Sequence, residues 1–199
     1  MRRPIVLTLT IAIVLALVSF PATAQPRSPR GQSATQTGAG FAKWVSVDYS
    51  RPILRGRTGI FGEGEAYGQK VNAGAPVWRG GADMSTRLKT EIDLVFGDTT
   101  LPAGEYSLFI ELKSPTDWTL IVSNHKAQER YNPDDKEAIW GAYGYDASND
   151  VLRMPMQVGA LANSIDELTY VFSDVTETGG ALVLVWERTI ATAPFAVAE

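Results

Sequence analysis

Short runs of strict period-two alternation set what this chain can fold into. Across residues 105–113, Tyr106, Leu108, Ile110 and Leu112 occupy every second position. Such spacing puts one row of side chains on each face of an extended strand. Residues 43–50 repeat the pattern with Val45, Val47 and Tyr49, and residues 87–96 place Leu88, Ile92 and Leu94 inward with Thr90 in the same row. Further strands are expected at 118–123, 139–146, 151–158, 167–173 and 181–188, each rich in β-branched or aromatic residues and bounded by turn residues. Leu101-Pro102-Ala103-Gly104 and Glu177-Thr178-Gly179-Gly180 read as tight connections. No segment carries a 3.6-residue apolar stripe. The best helical candidate is a turn or two at 133–138, where Pro-Asp-Asp resembles a helix start. The expectation is an all-β fold, an antiparallel and jelly-roll-like β-sandwich forming a single domain.

The N-terminus reads differently. Arg2 and Arg3 precede an apolar run from Ile5 to Phe20, Pro21 breaks it, and Ala22-Thr23-Ala24 offers small residues for cleavage. This is the pattern of a secretory signal peptide over residues 1–24. Residues 25–40, rich in Ser, Thr, Gln, Gly and Pro, read as a flexible lead-in, and 41–199 as the β-sandwich domain. Taking the 24-residue leader from 199 residues leaves 175, and the loss of two arginines moves the net charge from −4 to −6. No other apolar run approaches the length of a membrane span. An exported protein of the periplasm or the extracellular space is expected, and its acidity argues against nucleic acid as a partner.

Composition narrows the chemistry. The chain has no Cys and one His. Disulfides, thiolate metal sites, a Cys nucleophile and any site needing two imidazoles are therefore excluded. No cofactor motif is present, and no metal site is assigned. Asp146 and Asp150 flank an acidic turn whose expected form is an Asx-type turn. His125 follows an apolar strand and has no nucleophile elbow to serve.

One stretch breaks the alternation. Residues 50–85 hold eight of the 18 glycines, together with Arg51, Arg55, Arg57, Arg79, Phe61, Tyr67 and Trp78. Irregular segments beyond about 12–15 residues are usually functional or disordered, and the aromatic content argues for order. Guanidinium forks suit carboxylate, phosphate or sulfate and stack on aromatic rings. They serve equally well to tie a long loop to its own carbonyls and acids.

Three stretches carry a family resemblance: Tyr49-Ser50-Arg51-Pro52 through Arg55-Gly56-Arg57 to Ile60-Phe61-Gly62; Val77-Trp78-Arg79-Gly80-Gly81-Ala82-Asp83; and Leu101 to Phe109. They recur with Trp140-Gly141-Ala142-Tyr143 and Asp150 to Met156. In this order they resemble the exported bacterial family called domain of unknown function 2911. The resemblance implies a secreted, β-rich protein and transfers no catalytic residue. Where the family usually reads Asn followed by Glu, this chain has Asp83 and Met84, and residues 128–137 form an insert before Trp140.

The candidate ligand-binding residues are Arg51, Arg55, Arg57, Trp78, Arg79, Asp83 and Trp140. Trp78 and Trp140, flanked by glycine and by small or charged residues, are the surface candidates among the five tryptophans. The expected function is that of a non-enzymatic envelope module binding a small-molecule, anionic or carbohydrate ligand. A carboxylate-dependent hydrolase acting on sugars or envelope polymers, with Asp83 and Asp48 as the pair to test, is one alternative. An envelope scaffold or interaction module is the other. Oligomeric state is left open.

Overall fold

A computed structural model describes residues 27–198. The signal-peptide reading of residues 1–24 falls outside them. Among the described residues there are twelve strands: β1 Arg30–Thr37, β2 Lys43–Ser50, β3 Thr86–Thr90, β4 Leu94–Phe96, β5 Thr99–Leu101, β6 Gly104–Ser114, β7 Asp117–Ser123, β8 Lys126–Ala127, β9 Ala138–Ile139, β10 Asp150–Pro155, β11 Gln157–Thr176 and β12 Gly179–Val197. A six-stranded sheet runs β1-β2-β3-β6-β7-β10, and a four-stranded sheet runs β11-β12-β4-β5. All pairings in these two sheets are antiparallel. The all-β expectation holds. Among the described residues no helix is long and apolar enough to cross a membrane.

The alternating rows do what their spacing requires. Val45, Val47, Leu88, Leu108, Ile110, Leu120 and Val122 face Leu168, Tyr170, Leu182, Leu184 and Trp186 across the main core. The central strands are apolar on their other face as well, where Phe109 and Ile121 are fully buried. A strand apolar on both faces needs cover on both. Here Val77 and Ala142 cover the outer side and form a second, smaller core with Phe109 and Ile121. This outer cover brings the 75–79 and 138–145 segments together.

Two strands expected as single runs are each divided. Residues 87–96 split into β3 and β4, which belong to different sheets, and Thr90 Oγ1 donates to Ile92 O at the corner between them. Residues 151–158 split at the buried Met156, where the chain leaves β10 for β11. The flexible lead-in expected at 25–40 is corrected over Arg30–Thr37. β1 pairs with β2 along its whole length, from Arg30 opposite Ser50 to Thr37 opposite Lys43. Its polar composition suits an edge strand with one solvated face.

The strand expected at 139–146 is also corrected. Only Ala138 and Ile139 form a strand there, in parallel with Lys126 and Ala127, and Trp140 bridges back to Tyr143 across a turn. Gly141 at φ 64° and Gly144 at φ 81° turn the chain out of extended geometry. The helical turn expected at 133–138 is absent. The buried Gln128 amide instead donates to the carbonyls of Asn132 and Ala138, holding the insert as a loop. The one α-helical turn among the described residues, Gln69–Asn72, lies inside the irregular segment.

Candidate functional site

The 50–85 segment contains no strand between the end of β2 and the start of β3 and is pinned at several points. Trp78 exchanges both backbone hydrogen bonds with Ile110 of β6, at 2.9 and 2.8 Å. Its indole Nε1 donates to Gly81 O at 3.0 Å. The ring stacks on Trp186 at 6.0 Å and 16°, and Phe61 packs against Trp78, Trp118 and Trp186. Trp78 is 1% exposed. It is therefore core and the floor of the site, which corrects its reading as a surface tryptophan. Large rings buried in this way dominate local packing, and glycine neighbours give no sign of it.

The arginines divide by role. Arg51 pairs with Glu167 of β11 at 2.6 Å. Arg57 donates from Nε to Leu54 O at 2.9 Å and from Nη2 to Ile53 O at 2.7 Å, tying the start of the loop to itself. Arg55 is exposed at φ 51°. Glu187, at a register shift of β12, accepts from the backbone N–H groups of Gly59 and Ile60. The loop is thus anchored to the four-stranded sheet by two acids, Glu167 and Glu187.

Arg79 is the exception. It is 6% exposed, and its Nη1 donates to Asp83 O at 2.9 Å. Its guanidinium lies over the Tyr143 ring at 5.0 Å. Among the described residues it has no carboxylate within ion-pair distance. Arginine is rarely buried unless paired. Gly141 allows the approach, because a Cβ there would stand 2.6 Å from Arg79 Cζ and closer still to Nη1.

The turn carrying Gly141 is itself held. Tyr143 N donates to Trp140 O at 3.1 Å, Ser85 Oγ donates to Gly141 O at 2.6 Å, and Tyr143 OH donates to Ala73 O at 3.2 Å. Tyr143 and Trp140 thereby face two different cavities. The first, about 350 Å³, has Trp78 and Trp186 at its floor and Arg57, Lys70, Arg79 and Asp83 among its walls. The second, about 510 Å³, includes Trp140, Tyr131, Met84 and Ser50. Arg27, Ser28 and Asp83 line both.

Asp83 sits at the divide with φ 54°. Its carboxylate accepts from Ser28 N at 3.1 Å. Asp and Asn are the non-glycine residues most at ease in left-handed geometry, so Asp83 suits this position. Met84, next in the chain, is buried and adds apolar lining to the second cavity.

The structure thus gathers five of the seven sequence candidates around the two cavities: Arg57, Trp78, Arg79 and Asp83 at the first, and Trp140, with Asp83 again, at the second. Arg51 and Arg55 line neither. Sequence reasoning does not assign Arg27, Ser28 or Lys70 to the site. Nothing in their local pattern distinguishes them, since they arrive through the β1 pairing and the single helical turn. Asp48 accepts from Gln32 Nε2 on the outer face of β1-β2 and lines neither cavity.

Two remaining motifs are structural. Asp146 accepts from Ser148 N at 2.9 Å as an Asx turn, which holds its carboxyl below the usual range. Asp150 bonds Tyr145 OH and Arg153. Burial, reinforced by that bond to Asp150, pushes the Tyr145 phenol well above its ordinary value. His125 Nε2 accepts from Asp146 N at 2.9 Å and approaches no serine as a base. Among the described residues no group of three or more acidic or imidazole side chains converges for a metal.

No curated protein and no solved structure matches the chain. Residues 28–195, nearly all of the chain after its leader-like segment, match the model of a family described as protein of unknown function, DUF2911, and the chain belongs to that family.

Proposed function

We propose that the protein is an exported envelope module that binds a small anionic ligand in the first cavity. The observation that carries this reading is Arg79: a buried guanidinium, held in place by Asp83 O and the Tyr143 ring, with no carboxylate partner among the described residues. Such a group is preorganised for a carboxylate, phosphate or sulfate oxygen. Arg27, Arg57 and Lys70 line the same cavity against the single acid Asp83, so the cavity is basic in an acidic chain. The leader pattern at residues 1–24 supports the location.

Binding is favoured over hydrolysis by the carboxylate count. Asp83 is the one acid among the lining residues of the first cavity, and its carboxylate is occupied by the Ser28 N–H. Glycoside hydrolysis uses two carboxyls across a cleft.

The test is titration calorimetry with inorganic phosphate, sulfate and D-galacturonate. At least one anion binds, and Lys70→Gln, an exposed lining change, weakens it severalfold without altering the fold. Arg79→Gln abolishes it. Anion binding unaffected by both substitutions, or no anion bound at all, would overturn the reading.

A further inference from the structure

The second cavity has no place in the binding of a small anion, yet it shares part of its lining with the first. Arg27, Ser28 and Asp83 belong to both. The turn between them carries Trp140 and Gly141 as neighbouring residues, with Cα atoms about 3.8 Å apart. Arg79 passes against Gly141, Tyr143 stacks on Arg79 from the first cavity, and Trp140 lines the second. One turn thus presents Tyr143 with Arg79 to the first cavity and Trp140 to the second.

The second cavity has its own recognition elements. Tyr131 is 64% exposed and meets Trp140 at 6.1 Å and 65°, forming a corner of two rings. Arg30, Arg130 and one acid, Glu129, also line it, with Arg30 Nη2 donating to the Glu129 carbonyl, and the buried Ser50 lies on the same wall, so with Arg27 and Asp83 the cations outnumber the acids three to two. Half-exposed rings beside hydroxyl and guanidinium donors suit a ligand with flat apolar faces, hydroxyl edges and negative charge. A sugar ring that carries a carboxylate has all three.

Resting on the anion-binding reading above, we infer that the two cavities form one groove for an acidic oligosaccharide, with a uronate carboxylate at Arg79 and the adjoining residue stacked at the Trp140–Tyr131 corner. Arg27, Ser28 and Asp83, which line both cavities, stand between the subsites. The second subsite makes affinity depend on chain length, because a monouronate fills only the first cavity.

The experiment compares D-galacturonate, trigalacturonate, uridine monophosphate and the neutral trisaccharide maltotriose by titration calorimetry. Trigalacturonate binds about tenfold or more tightly than the monomer, and maltotriose binds at least tenfold more weakly than trigalacturonate. Trp140→Ala and Tyr131→Ala each remove the gain from chain length and leave galacturonate binding unchanged. Tyr131 is exposed enough that its variant reports on the groove even if Trp140→Ala perturbs the turn. Equal affinity for monomer and trimer, a gain that survives both substitutions, or tighter binding of uridine monophosphate than of trigalacturonate would each overturn the inference. Phosphate binding without any uronate response overturns the groove alone. Silence towards phosphate, sulfate and galacturonate overturns the anion site as well.

Discussion

Replacing Gly141 by Ala tests whether Arg79 is held as described. Two costs arise. The first is conformational: at φ 64° an added Cβ costs about 1 kcal/mol. The second comes from the guanidinium, whose Cζ would stand 2.6 Å from the new methyl group. Arg79 can move, but only by giving up its hydrogen bond to Asp83 O and its position over Tyr143. A hydrogen bond to a charged donor contributes about 1.5–3 kcal/mol, and a cation over an aromatic face about 0.5–2 kcal/mol. A displaced guanidinium regains water, so the net loss comes to about 3 kcal/mol in all. For a domain of this size that lowers Tm by about 6–12 °C. Gly56→Ala is the internal control. Its φ is 77° with nothing within 4 Å of an added Cβ, so it carries the conformational cost alone. Thermal and urea unfolding of both variants decide the matter. Adding Arg79→Ala to Gly141→Ala relieves the steric cost, so the double variant is less destabilised than the sum of the two single variants in a double-mutant cycle. If Gly141→Ala and Gly56→Ala melt together, the account of Arg79 as a wedged, preorganised group is wrong.

Two further outcomes are expected. Arg57→Ala, which removes two hydrogen bonds to the Ile53 and Leu54 carbonyls, costs about 1–2 kcal/mol, whereas Arg55→Ala stays within about 0.5 kcal/mol of the parent in urea unfolding. Alkaline pH destabilises the fold. Burial raises the Tyr170 and Tyr145 phenols above the ordinary value, so the neutral forms stabilise the native state below about pH 10. That contribution is lost as pH rises past the unfolded-state value, and Tyr170→Phe, which forgoes the bond to Gly80 O but cannot ionise, shows a shallower fall in Tm above about pH 10 than the parent.

The strands that can be read in the sequence are those whose two faces differ or whose apolar runs are dense. β2, β6 and β7 lie within a residue of expectation because Val45, Leu108 and Leu120 and their neighbours repeat at period two. β1 escapes such a reading because its alternate positions are Gly31, Ser33 and Thr35, and hydroxyls at an edge look like linker composition. The outer halves of β11 and β12 escape it for a related reason: small and polar residues such as Ala160, Ser164, Thr189 and Thr192 carry no face preference. At the site, residue type points to the right neighbourhood but not to roles. Arg51, Arg57 and Arg79 look alike in sequence, and only their partners separate two loop ties from one unpaired cation. Trp140 and Tyr143 alternate poorly with their neighbours because the glycine between them serves an arginine from elsewhere in the chain.

The pairing of β1 with the rest of the fold has a consequence for association. Beyond its ladder to β2, β1 touches the other sheet through side chains: Ser33 Oγ donates to Tyr170 O, and Thr37 Oγ1 donates to Thr176 O at 2.7 Å. Two hydroxyls thus occupy carbonyls that an incoming strand would otherwise use. Edge strands are templates for addition of another chain, and natural proteins block them. Here the seam between the sheets does the blocking from Tyr170 to Thr176. The outer arm of β11 before Ile165, rich in Ala, Ser and Asn, lies beyond that protection, so growth of intermolecular β-structure, under conditions that promote it, would start from this arm rather than from the closed side of the sandwich.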